Sequence, residues 1–75
     1  MKKILDLGSG DGFFAYTLSR KKDNDVYGID LSKESISISK KRYSRVNFQV
    51  MNSEKMKFKN NFFDEIYAMD VLEHV

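Results

Sequence analysis

A chain of 75 residues is one domain at most, and at this size only about 60% of the surface exposed in the unfolded chain is buried, so the core must be small. With 41% hydrophobic and 32% charged residues its composition is globular, not disordered, and the absence of cysteine excludes a disulfide framework and any Cys-based zinc site. Thirteen Lys and Arg against 11 Asp and Glu leave a net charge of +2, too mild to argue for nucleic acid as a partner.

The start, Met1-Lys2-Lys3-Ile4-Leu5, mimics the charged head of a signal peptide, but its apolar stretch stops at Asp6. No apolar run approaches the roughly 20 residues that span a bilayer. A cytoplasmic location is the expectation, and a thiol-free chain fits a reducing compartment.

Four short apolar runs, rich in β-branched and aromatic residues, read as strands. The first, Ile4-Leu5-Asp6-Leu7, runs straight into Gly8-Ser9-Gly10-Asp11-Gly12. From Phe13 to about Lys21 the pair Phe14 and Leu18 at i, i+4 predicts a helix with one buried face. The second strand, Val26-Tyr27-Gly28-Ile29, closes at Asp30. Ser32 then offers an N-cap to a second helix, on which Ile36 and Tyr43 share a face one heptad apart. That helix is serine-rich and weakly amphipathic; its cations Lys40, Lys41 and Arg42, with Arg45 close behind, suit the negative end of a helix dipole better than a phosphate patch. The third strand is Asn47–Met51, residues 53–61 hold at most a turn of helix, and the fourth strand covers Phe62–Met69 and ends at Asp70. Strands alternating with helices predict an α/β fold, a parallel sheet with right-handed crossovers. Phe13, Phe14, Phe62 and Phe63 are expected in the core or flanking strands, and Lys55, Lys57 and Lys59 as solvated lysines around Met56 and Phe58.

The glycine loop carries the chemistry. Glycines at every second position between a strand and a helix allow a tight turn and let a ligand lie against bare backbone, with donors at the helix start facing it. The spacing is G-x-G-x-G, and Phe13 stands where a dinucleotide fold of the G-x-G-x-x-G type needs its third glycine. No G-x-x-x-x-G-K-[ST] sequence occurs, so a nucleoside-triphosphate loop of that kind is excluded. Asp30 at the end of the second strand could be an ordinary turn former or N-cap; the glycine loop before it favours acceptance of hydrogen bonds from a ribose diol, which suits an acceptor-only carboxylate.

These residues resemble the class I S-adenosyl-L-methionine-dependent methyltransferases, and within them the branch of the ubiquinone- and menaquinone-biosynthesis enzymes. Four ordered motifs carry the resemblance: Ile4–Gly12, Val26–Leu31, Phe48–Phe58 and Phe63–Val75. It implies a Rossmann-like fold and S-adenosyl-L-methionine as the cofactor. Asp6 and the loop of Gly8, Ser9, Gly10 and Gly12 would hold the methionine portion, Asp30 the ribose hydroxyls, and Leu31 the adenine face. Asn52 stands where the family usually has Asp; its amide oxygen can still accept from the exocyclic amine of adenine, without the reinforcement of a charge. The backbone N–H of Ser53 would meet a ring nitrogen, and Asp70 would lie near the sulfonium and the substrate. Val71-Leu72-Glu73-His74-Val75 looks like the segment that follows this strand in the same branch. His74, the only histidine, is read as positional, not as a general base, because methyl transfer from a sulfonium often needs only in-line placement. The Pro-Pro-Tyr motif of adenine-N6 and glutamine methyltransferases is missing.

The family's strand order, 3-2-1-4-5-7-6, implies a 3-2-1-4 sheet here, a single partial domain over residues 1–75 that ends before the substrate-binding half. Strand 4 would then be an open edge, a template for another chain, which predicts self-association through residues 63–75. The acceptor is left open, as are two alternatives: a module that binds the cofactor or a nucleoside without transfer, and a nicotinamide-dependent Rossmann enzyme, against which the loop spacing and Asn52 argue.

Overall fold

The computed structural model describes residues 1–52 and 62–68. The element order is β1 (Lys2–Leu7), α1 (Phe13–Ser19), β2 (Asn24–Asp30), α2 (Lys33–Arg42), β3 (Asn47–Val50) and β4 (Glu65–Tyr67). The four strands form one sheet in the order β3-β2-β1-β4, with every neighbouring pair parallel. This is the Rossmann-like 3-2-1-4 arrangement expected from the sequence.

Because β1, β2 and β3 step in one direction across the sheet, right-handed crossovers bring α1 and α2 to the same face. Ile4, Val26 and Phe48 on that face bury against Ala15 of α1 and Ile36 of α2, with Val46 completing the cluster. Tyr43 packs on it and stacks on Tyr16 at 4.7 Å between ring centroids, so Ile36 and Tyr43 do share the buried face of α2. On the opposite face, Leu5 and Ile29 are fully buried, and Tyr27 meets Phe62 and Phe63 edge to face at 5.6 and 5.3 Å.

Local differences from the sequence reading have identifiable causes. β1 and β2 each begin two residues early, because Lys2 and Lys3 pair in register with Asn24 and Asp25, and Lys3 Nζ lies 3.2 Å from the Asp25 carboxylate. α1 stops at Ser19, and its buried centre is Ala15 and Ser19, with Phe14 turned edge-on to Tyr67. Phe13, expected in the core or flanking a strand, is 61% exposed at the first turn of α1. Within the described residues β4 is limited to Glu65–Tyr67. The chain joins the sheet at Asp64, whose N–H donates to the Lys3 carbonyl at 2.7 Å and whose carboxylate accepts from the Lys3 N–H at 2.8 Å. Phe62 and Phe63 therefore precede the ladder and cover Tyr27 from outside it. The turn expected within residues 53–61 lies outside the described residues.

Helix α2 is capped as its sequence demands. The Ser32 hydroxyl accepts from the Ser35 N–H at 3.1 Å, Glu34 sits in the first turn and Lys40, Lys41 and Arg42 in the last, each complementing the helix dipole.

Candidate functional site

Three strands deliver the candidate residues to one edge of the sheet, the end at which β1, β2 and β3 all terminate. In open parallel sheets this is the ligand-binding end, at the point where the order reverses on either side of the first strand. Here that point lies between β1 and β4.

The loop after β1 is built from left-handed glycines. Gly8, Gly10 and Gly12 have φ of 70°, 54° and 85°. At Gly12 the requirement is also steric: a Cβ would fall 2.8 Å from the Phe48 ring and 2.8 Å from Ser39 Oγ. At Gly10 a Cβ would meet nothing within 4 Å, so the backbone there borders open space. The loop is locked to its surroundings by hydrogen bonds. The Ser9 N–H donates to the Ile29 carbonyl and the Gly12 N–H to the Ser9 carbonyl, both at 2.9 Å.

Asp30 joins this loop to the next one. Its Oδ2 accepts from the Gly10 N–H and its Oδ1 from the Ser32 N–H, each at 2.9 Å. A carboxylate has roughly four acceptor directions, so both oxygens retain capacity for a hydroxyl donor. Leu31 follows directly and is 69% exposed. The Met51 N–H donates to the Asp30 carbonyl at 3.0 Å, which sets Asn52 beside the end of β2. Asp6, 3% exposed, lies under the loop on β1, in register with Gly28.

The structure thus brings Asp6, Gly8, Ser9, Gly10, Gly12, Asp30, Leu31 and Asn52 to one end of the sheet. Ser53, Asp70 and His74 lie outside the described residues. The expectation that helix-start donors face a ligand needs correction at Phe13, whose N–H donates to the Asp11 carboxylate at 3.0 Å. With the amides of Ser9, Gly10, Gly12 and Phe13 all paired inside the protein, what the loop presents at Gly10 is bare backbone surface. Two residues that hold the loop went unnoticed in the sequence, Asp11 and Ser39. Ser39 is completely buried and donates to the Gly10 carbonyl at 3.1 Å. A signal for it existed, since Ser39 falls at i+3 from Ile36 and i–4 from Tyr43, on the inward face.

Asp30 keeps acceptor capacity for a hydroxyl-bearing ligand at this end of the sheet. The backbone at Gly10 faces open space, and Ser9 Oγ is buried with no hydrogen-bond partner among the described residues, a state that buried hydroxyls rarely keep. Among the described residues no cluster of three His, Cys, Asp or Glu side chains could hold a metal, and no helix is long and apolar enough to cross a membrane. The shifted ionisations lie away from this site, at the β1–β4 edge. A hydrogen bond to Glu65 raises the Lys2 ammonium above its ordinary pKa, and bonds from Lys2 and Tyr67 lower the Glu65 carboxyl.

Comparison with known proteins identifies the family and the fold. A family profile described as a methyltransferase domain matches residues 5–75. Phosphoethanolamine N-methyltransferase 3 of Arabidopsis thaliana is 35% identical over 78 residues, covering 99% of this chain and 16% of the relative. Demethylmenaquinone methyltransferase of Chlorobaculum parvum is 35% identical over 66 residues, covering 88% of this chain and 27% of the relative. Among solved structures, Haemonchus contortus phosphoethanolamine N-methyltransferase 2, in complex with phosphomonomethylethanolamine and S-adenosylhomocysteine, superposes with a TM-score of 0.77 at 26% identity. That match covers 89% of this chain and 17% of the solved one. The chain spans between 15% and 29% of the length of eight curated relatives that it matches.

Proposed function

The chain belongs to the class I S-adenosylmethionine-dependent methyltransferase family, and from that premise we propose that it forms the cofactor-binding part of a methyltransferase. The observation that carries the reading is the Gly10 N–H to Asp30 Oδ2 bond of 2.9 Å beside the open space at Gly10. It makes the glycine loop and the acidic end of β2 a single preformed unit.

In this reading Asp6 and the Gly8–Gly12 loop, Ser9 included, receive the methionine portion of S-adenosyl-L-methionine against bare backbone. Asp30 accepts from the ribose hydroxyls, exposed Leu31 covers the adenine face, and Asn52 accepts from the adenine amine, with the Ser53 N–H on a ring nitrogen. Asp70 is assigned to the sulfonium side. The cofactor supplies a methyl group already activated on a sulfonium. The protein's contribution is to fix that group in line with an acceptor, and orientation alone removes a large part of the barrier to such a transfer. The residues holding the acceptor are not assigned. Two of the matched relatives are named for different acceptors, phosphoethanolamine and demethylmenaquinone. A non-catalytic S-adenosylmethionine- or nucleoside-binding module is the second reading. The proposal extends to self-association along β4, where Ile66 is 54% exposed.

Calorimetric titration with S-adenosylhomocysteine tests the cofactor assignment, with NADH as the control ligand and Asp30→Ala alongside. Saturable binding of the first ligand alone is expected. The variant loses hydrogen bonds to a charged acceptor, which lowers affinity by roughly 10- to 100-fold. Binding of NADH with equal affinity would point back to a nicotinamide enzyme. An extended protein that turns over methyl groups would separate the enzyme from the binding module.

A further inference from the structure

The Gly10 residue is gripped from two sides. Its N–H is held by Asp30, and its carbonyl accepts from Ser39 Oγ, 29 residues along the chain in the middle of α2. The same hydroxyl lies 2.8 Å from the Ser35 carbonyl, one turn back. One O–H proton therefore faces two acceptors. The bond to Ser35 is the local one that a serine makes in any helix, and it does nothing for the loop. The bond to Gly10 crosses between elements.

Packing enforces the crossing. Ser39 is 0% exposed, and a Cβ built on Gly12 would lie 3.0 Å from Ser39 Cβ as well as 2.8 Å from its Oγ. The loop and α2 thus approach to within the size of a serine. A hydroxyl on this buried face, between Ile36 and Tyr43, costs stability unless it is hydrogen-bonded. The Ser35 carbonyl meets that need within the helix, and the Gly10 carbonyl is the second acceptor, the one through which the hydroxyl ties α2 to the loop.

We propose that Ser39 is a positioning residue for the cofactor: its hydroxyl holds Gly10 in the left-handed conformation and so fixes the backbone surface that receives the methionine portion. The proposal rests on the cofactor reading of Gly8–Gly12. Ser39 touches no ligand. Its effect passes through the Gly10 carbonyl, whereas Asp30 both braces the loop and faces the ribose.

The test compares the wild-type chain with Ser39→Ala and, as a control on the same helix, Ser37→Ala, an exposed position. Amide hydrogen exchange is followed by NMR without ligand, and calorimetry measures S-adenosylhomocysteine and adenosine. In Ser39→Ala, exchange at Gly10 and Gly12 is expected to speed several-fold while Val26 and Ile29 in β2 stay protected. Affinity for S-adenosylhomocysteine falls about two- to tenfold, the equivalent of one neutral hydrogen bond, and affinity for adenosine holds. Ser37→Ala changes neither. Unaltered loop exchange, or equal losses for both ligands, overturns the positioning role while leaving the cofactor reading standing. A wild-type chain that binds neither ligand, with the loop loosened in Ser39→Ala, overturns the cofactor reading and the positioning role that rests on it.

Discussion

Two glycines two residues apart should respond very differently to the same substitution. Gly12→Ala carries a left-handed φ of 85°, which costs a residue with a Cβ about 1–2 kcal/mol. The new methyl also falls 2.8 Å from the Phe48 ring. Phe48 is 2% exposed, so the ring cannot swing aside into solvent, and overpacking of this kind adds about 1–3 kcal/mol. The sum is roughly 2–5 kcal/mol. A chain of 75 residues has about 4–11 kcal/mol of total stability at ordinary values per residue, so the variant sits near the edge of folding. Gly10→Ala pays the conformational term alone, about 1–2 kcal/mol, because its Cβ points into open space. Urea denaturation followed by circular dichroism measures both, and each kcal/mol corresponds to a melting shift of about 4–8 °C at this size. Ligand binding should rank the pair in reverse. The Gly10 methyl projects into the open space assigned to the cofactor, so Gly10→Ala should weaken S-adenosylhomocysteine binding in a chain that still folds. Equal destabilisation by the two substitutions would refute the steric argument. Undiminished binding by Gly10→Ala would refute the placement of the cofactor.

Ser32→Ala should cost about 1 kcal/mol, because the first turn of α2 loses the acceptor for the Ser35 N–H; thermal melts against Ser37→Ala measure it. Stability should fall at both extremes of pH through the Lys2–Glu65–Tyr67 group. The Glu65 pKa is lowered, chiefly by the hydrogen bond from Lys2, so its contribution is present above the ordinary glutamate value and lost as pH falls through the lower, folded value. Lys2 and Tyr67 are raised, chiefly by hydrogen bonds to Glu65, so theirs are present below their ordinary values and lost as pH rises through the folded ones. Both partners of the ion pair are well solvated, at 44% and 38% exposure, so the effect is small; Glu65→Gln should flatten both limbs of a stability–pH curve. Sedimentation of the wild-type chain should show mass rising with concentration, and Ile66→Lys should suppress it; a monomer at every concentration counts against pairing along β4.

Much of the fold was legible because its signals are local. A short apolar run ending in glycine or aspartate announces a buried parallel strand, and the alternation with helices leaves few topologies once crossovers must be right-handed. The strand ends were less legible. Lys2, Lys3, Asn24 and Asp25 carry no apolar pattern, yet they pair because their neighbours in the ladder are in register and opposite charges meet across it. The aromatic pair Phe62 and Phe63 has strong β propensity but stands before β4, since Asp64 supplies a reciprocal pair of bonds with Lys3 and starts the ladder there. For Phe13, expected in the core or flanking a strand, hydrophobicity pointed to burial, but its exposed position at the start of α1 follows from how α1 lies on the sheet.

The sequence by itself determined the order and type of the elements, the glycine loop between β1 and α1, and the carboxylate closing β2. Each of these follows from properties of a few neighbouring residues: missing Cβ atoms, alternation of apolar side chains, a cap. Only the tertiary structure decided what the loop's own atoms are bonded to. Gly10 is held between Asp30 and Ser39, Phe13 is satisfied by Asp11, and Gly12 is closed by Phe48. Apart from the Asp11 bond, these contacts join residues 20 or more positions apart. Their geometry exists only once β1, β2, β3 and α2 have been packed to within the width of a serine side chain, and no local pattern encodes a distance of that kind.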